Sequence, residues 1–207
     1  MQKVKTIVAA AAFSTCLAAT AVAAPVTIGG ITYDSADFAD DTTVQSGSFS
    51  VYGGAPDVDA ALTGSDLTTG AFCFGSDCEI DILFTDNFVV NGTGEDLAVY
   101  ASGTVEPFSL EIGGVRLDYS AVDLGFSAGG FSILGAFIDL DDFGIAAGAL
   151  VSLVTAFPAP TGGDPEDFVA FAAINSQAVP VPAAALLFAP VALLSAARRK
   201  LKLFDGA

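Results

Sequence analysis

Between residues 24 and 178 the chain alternates short apolar runs with clusters of Gly, Asp, Ser and Thr. Short runs rich in Val, Ile, Phe and Tyr, closed off by such clusters, mark strands with one face buried. The pattern predicts strands at 26–33, 49–52, 79–84, 97–101, 108–112, 115–119, 131–138, 150–157 and 167–172. Gly113-Gly114, between two of these runs, signals a hairpin with a two-residue turn. Residues 145–150 and 168–174 are rich enough in Ala to allow either strand or helix. This many short strands separated by turns predicts an all-β domain, either a two-sheet β-sandwich or a jelly-roll-like arrangement, over residues 24–174. Residues 155–165, with Pro158, Pro160, Gly162, Gly163 and Pro165, read as a loop inside that domain, because the run after them is apolar again. Residues 175–178 read as a spacer.

The two ends follow another pattern. Lys3 and Lys5 open the chain, residues 6–19 are apolar, and Ala21-Val22-Ala23 follows with small residues at both key positions. These are the three regions of a secretory signal peptide, predicted to span 1–23 and to be cut by signal peptidase between Ala23 and Ala24. Residues 183–197 are Ala- and Leu-rich, have no polar face, and run into Arg198, Arg199 and Lys200. As a helix this span reaches ~22 Å at ~1.5 Å per residue, against a hydrocarbon core of ~30 Å. A single transmembrane helix is predicted here, with residues 179–182 and snorkelling basic side chains making up the difference in length. The basic cluster is a stop-transfer signal and predicts a cytoplasmic tail at 203–207.

Charge is divided as unevenly as hydrophobicity. Of 24 acidic residues only Asp205 lies in a terminal segment, and Arg116 is the only basic residue between the ends, so the middle carries −22. Such a surface repels nucleic acid and attracts cations. The chain has no His, which removes the commonest general base and transition-metal ligand. It has no nucleophile elbow, zinc signature or phosphate loop, and no catalytic residue is assigned. Carboxylates are the abundant reactive groups, clustered at Asp139, Asp141 and Asp142 and again at Asp37, Asp40 and Asp41. Hard oxygen ligands at this spacing suit Ca²⁺, and the first cluster is the candidate calcium site, although neither run matches an EF-hand loop. Solvated acidic loops are the competing reading. With no Trp and 4 Tyr, the usual sugar-stacking platform is poorly stocked, and the 17 Phe read as core. Cys73 and Cys78 are close in sequence with no third cysteine left in the exported part, which points to one disulfide rather than a metal site.

Val179-Pro180-Val181-Pro182-Ala183, the apolar span behind it and the Arg-rich end resemble the C-terminal sorting domains of the PEP-CTERM class, closest to the VPxPA (VPLPA) variety. Val181 stands where that pattern has Leu, and the tail from Leu201 is longer than usual. The resemblance implies an exosortase-type membrane protease-transpeptidase as partner, cutting near Pro182-Ala183. It also implies a precursor held in the inner membrane and delivery to the cell surface or extracellular matrix. A second stretch, Asn91-Gly92-Thr93-Gly94-Glu95-Asp96-Leu97-Ala98-Val99-Tyr100, is similar to the G-x-D-L-V-V-F/Y-E segment of exported PEP-CTERM-type β proteins, with Ala98 and Ala101 departing from it. Residues 139–144 and 167–176 resemble later segments of the same proteins. These likenesses imply fold and destination, not an activity.

The expectation is an exported surface or matrix protein without enzymatic activity, contributing to a coat, to adhesion or to polysaccharide assembly, with extracellular polysaccharide as a partner. The alternative is a calcium- or carbohydrate-binding surface module, and a third reading is a secreted carboxylate-dependent hydrolase.

Overall fold

The computed structural model describes residues 24–75, 77–158 and 167–179. The expected signal peptide, the transmembrane span, the basic cluster Arg198–Lys200 and all of the sorting motif after Val179 lie outside the described residues.

Among the described residues the chain forms strands β1 (Val26–Ile28), β2 (Ile31–Tyr33), β3 (Asp41–Ser46), β4 (Phe49–Tyr52), β5 (Gly70–Cys73), β6 (Glu79–Leu83), β7 (Asn87–Val90) and β8 (Leu97–Ser102). They continue with β9 (Pro107–Ile112), β10 (Val115–Ser120), β11 (Val122–Ala128), β12 (Phe131–Ile138), β13 (Leu150–Val151), β14 (Leu153–Phe157), β15 (Asp167–Ala173) and β16 (Ser176–Ala178). One short helix, α1 (Val58–Leu62), starts where the Asp57 carboxylate accepts the Ala60 N–H at 2.9 Å, and it buries Ala61 and Leu62. The strands make a five-stranded sheet in the order β10-β9-β14-β6-β3 and a six-stranded sheet in the order β11-β12-β8-β15-β5-β4. A three-stranded sheet, β13-β7-β16, and the β1–β2 hairpin complete them, and all pairings are antiparallel.

The result is an all-β, sandwich-like fold. Ile80, Ile82, Leu110, Val154 and Ala156 from the five-stranded sheet share one buried cluster with Leu97, Val99, Leu134, Ile138 and Phe171 from the six-stranded sheet. Phe108 meets Phe168 edge-on across the gap, with ring centroids 5.4 Å apart. The alternation that marks these strands in the sequence is the consequence of one face meeting the opposite sheet.

The six-stranded sheet buries its outer face as well, but only at one end. There Ile28, Tyr33 and Phe38 lie over Ala98, Tyr100, Ile133, Ala170 and Ala172. The Tyr33 and Tyr100 hydroxyls, both buried, bond to each other at 2.7 Å. Because β8 and β15 are covered on both faces, they read as continuous apolar runs with small Ala residues where the hairpin presses down.

Several elements differ from the sequence reading. The run 26–33 is two strands, because Gly29 and Gly30 both take positive φ (59° and 88°) and turn Ile28 back onto Ile31. The same two-glycine turn occurs at Gly113-Gly114, as expected, and joins Ile112 to Val115. The run 150–157 breaks at Ser152, where the chain leaves the three-stranded sheet and enters the five-stranded one. Strands β3, β11 and β16 were not expected: all three are edge strands exposed along most of their length, and β3 and β16 are polar as well. Strands β5 and β7 were not expected either. Residues 175–178 are not a spacer: β16 pairs with β7 from Ser176↔Val89 to Ala178↔Asn87, and Val179 N–H still donates to the Asp86 carbonyl at 2.9 Å.

Cys73 and Cys78 are joined as a disulfide, with Cα atoms 6.3 Å apart. Gly47 passes so close that a Cβ there would stand 2.8 Å from the Cys78 sulfur. The bridge closes a small loop at the end of β5, so its effect is limited. A Cys73→Ser/Cys78→Ser double variant should keep its β-sheet circular dichroism and lose about 2 kcal/mol in chemical unfolding. Complete loss of the fold, or unchanged stability, would contradict this placement of the bridge.

Candidate functional site

Three segments singled out in the sequence, 91–100, 139–144 and 167–176, meet at one residue, Asp96. This carboxylate is fully buried and accepts three hydrogen bonds: from Gly92 N–H at 2.7 Å, Asn175 Nδ2 at 2.7 Å and Leu140 N–H at 3.0 Å. Its backbone is used as fully, with its N–H donating to Ile138 and its carbonyl accepting from Ile174 and Asn175. Gly92 has to be glycine here, because a Cβ would lie 2.5 Å from Asn175 Nδ2. Asn91, also buried, donates from Nδ2 to the Asp141 carboxylate at 2.8 Å and to the Ile145 carbonyl at 2.6 Å. The node therefore ties the loop before β8 to the turn after β12 and the turn after β15.

That network accounts for the carboxylates proposed as calcium ligands. Asp139 caps the 3-10 turn Leu140–Phe143, its side chain accepting the Asp141 N–H at 2.9 Å. Asp141 holds Asn91, and Asp142 is exposed. Among the described residues no three acidic or sulfur ligands converge closely enough to hold a metal ion. Tyr119 stacks on Phe143 beside them, and its hydroxyl is pushed up to about 12 by burial and then by the charges of Asp142 and Asp139.

The second acidic cluster is also tied into the fold. Asp37 accepts the Asp34 N–H at 2.7 Å and the Ser176 hydroxyl at 2.6 Å, which fastens β16. Asp40 accepts the Thr85 N–H at 2.8 Å, the Asp86 N–H at 3.2 Å and the Thr85 hydroxyl. Burial works against the charged form of Asp40, but these hydrogen bonds outweigh it and hold the carboxyl below its ordinary range. Asp86 is pushed the other way, by burial and then by the Asp40 carboxylate beside it. The pair is split as in a catalytic dyad, yet neither residue lines the clefts found on the described surface.

The larger cleft lies elsewhere, at the end of the six-stranded sheet that the β1–β2 hairpin leaves uncovered. It has a volume of about 530 Å³ and is walled by Phe72, Phe74, Phe131, Ser102, Thr104, Glu106 and Asp167. Phe74 and Phe131 are 67% and 48% exposed, unusual for phenyl rings on a surface this charged. Sequence reading placed Phe in the core and missed this site. Its parts come from β5, β8, β12 and β15 and the turn after β8, and no local pattern links them.

A smaller cleft holds Arg116, whose guanidinium lies 3.5 Å from the centre of the Phe157 ring. Among the described residues no helix is long and apolar enough to cross a membrane. No protein-family model, curated protein or solved structure matches the chain.

The cleft makes one titration prediction. Burial pushes the Asp167 carboxyl up to about 6, from an ordinary 3.8. Between those values the folded chain holds a proton that the unfolded chain has lost, so stability falls as pH rises through this window and stays lowered above it. Asp167→Asn should therefore raise Tm near pH 7 and leave it unchanged near pH 3.5, where both states are protonated. Thermal melts at the two pH values check this, and no gain near pH 7 would contradict it.

Proposed function

We propose that the chain is an exported, non-enzymatic surface or matrix protein whose β domain is displayed through a C-terminal sorting signal. The observation that supports this reading is where the described strands lead. Strand β16 pairs with β7, and Val179, the first residue of Val179-Pro180-Val181-Pro182-Ala183, still donates its N–H to the Asp86 carbonyl. An exosortase-type cut near Pro182-Ala183 would leave the domain on a stem of three residues, roughly 10 Å when extended. Pro180 and Pro182 keep that stem extended and out of any helix, which is the form a protease takes. The domain would then stand close to its attachment point with little freedom.

The −22 charge of the exported part suits this placement, since it keeps a densely displayed domain soluble and hydrated. The buried node and capped turns occupy the acidic residues in holding loops, which favours a scaffold over a hydrolase. Binding is the second reading, and the aromatic cleft is the observation that favours it.

Replacing Pro180 and Pro182 by Ala should leave full-length precursor in the membrane fraction of cells that make the sorting enzyme. Deleting residues 198–202 should let precursor pass through uncut. Immunoblots of membrane and released fractions check both. Release of the double-Pro variant as efficiently as the parent chain would overturn the sorting reading.

A further inference from the structure

The cleft at the open end of the six-stranded sheet has a specific chemical character. Along β8, Ala98, Tyr100 and Ser102 share one face, the first two lying under the β1–β2 hairpin and the third beyond it. Asp167 sits opposite Ser102 in the register of β15 with β8, and Phe131 is two residues from Ile133 on β12. The cleft is thus a continuation of a face that is apolar and covered elsewhere.

Its rings are held at angles to one another rather than stacked into a core. Phe72 and Phe74 meet edge-on at 5.0 Å, and Tyr52 lies 6.4 Å from Phe72 and 5.7 Å from Phe131. Tyr52 is fixed by a 2.5 Å bond to the Ser102 hydroxyl and by Gly70, where a Cβ would stand 2.2 Å from the Tyr52 oxygen. Phe74 and Phe131 remain exposed, and the face of a phenyl ring carries the negative end of its quadrupole.

The polar lining completes the picture. Among the described residues that line it, the charged groups are the carboxylates of Glu106 and Asp167, and none is basic. The two hydroxyls are engaged within the protein, Ser102 with Tyr52 and Thr104 with Glu106. Both charged side chains of the described lining are acceptors. A sugar asks for donors as well, and neither charged side chain of this lining is one. A small hard cation wants six or more oxygens and gains little from phenyl walls. Ring faces and carboxylates together suit an organic cation, and a domain of net −22 concentrates such cations around itself.

We infer that the cleft bounded by Phe74, Phe131, Glu106 and Asp167 binds an ammonium head group on a short apolar stem. The head group lies against the ring faces with the carboxylates as counter-charges. It can come from a free small molecule or from a lysine side chain of a neighbouring polymer.

Calorimetric titration of the full chain with choline, with Nα-acetyl-lysine methylamide and with 3,3-dimethylbutanol, the uncharged shape-mimic of choline, tests this. Either or both of the two cations should bind saturably, while the alcohol at the same concentration does not. Choline alone assigns a free ligand, and the lysine derivative alone assigns a side chain. Phe74→Ala and Phe131→Ala should each weaken binding about three- to fivefold, and Asp167→Asn at least about fivefold. Phe74 and Phe131 are exposed enough that their variants should melt like the parent chain, which thermal scans confirm before titration. Equal binding of the alcohol, equal effects from sodium chloride at matched ionic strength, or unchanged affinity in both Phe variants would overturn the proposal. So would binding of methyl glycosides without binding of either cation.

Discussion

A carboxylate sealed from water is tolerated only if every oxygen finds donors, and Asp96 meets that condition with three segments far apart in sequence. Gly92, Leu140 and Asn175 each send one N–H to it. The two sheets could stack on hydrophobic area alone, but area does not fix which loops meet. The charge does, because any rearrangement of the loops before β8, after β12 or after β15 would strand it in the interior. Asn91 extends the same constraint to Asp141 and Ile145. The acidic residues that composition presents as surface charge are, at this end of the sandwich, part of its internal wiring.

At the opposite end of the six-stranded sheet no such buried carboxylate is found among the described residues, and the β1–β2 hairpin does not extend over it. The β1–β2 hairpin reaches Tyr100 through Tyr33 and stops there. Beyond it the same face presents Ser102, Asp167 and a set of rings. The two ends divide the labour: one is closed and holds the domain together next to the strand that leads into the tail, and the other stays open to ligand.

Much of this is written in local sequence. A strand with one face in the core, such as Glu79–Leu83, is legible through alternation, Ile80 and Ile82 facing inward between Glu79, Asp81 and Leu83. The Gly113-Gly114 turn is equally legible, since two positive φ values in succession select glycine. Polar edge strands are not legible in this way. Asp41–Ser46 and Ser176–Ala178 are strands because a neighbour offers backbone partners, not because their side chains need burial. The cleft was hidden for a related reason: Phe72, Phe131 and Asp167 become neighbours through the strand order β12-β8-β15-β5, which no short window contains. The Asn91–Tyr100 stretch marked the region of the node by resemblance, but Asp96 stands out from the 23 acidic residues between the two ends only once its burial is known.

Asp96→Asn tests the central claim most directly, because it keeps the shape, removes the charge and turns one acceptor into a donor facing an N–H. Urea unfolding of this variant beside the parent chain, followed by circular dichroism, measures the cost. The account predicts a loss of about 3 kcal/mol, the range for an unmet buried donor beside a lost charge-assisted bond. A variant within about 0.5 kcal/mol of the parent, the range of an ordinary surface substitution, would contradict it.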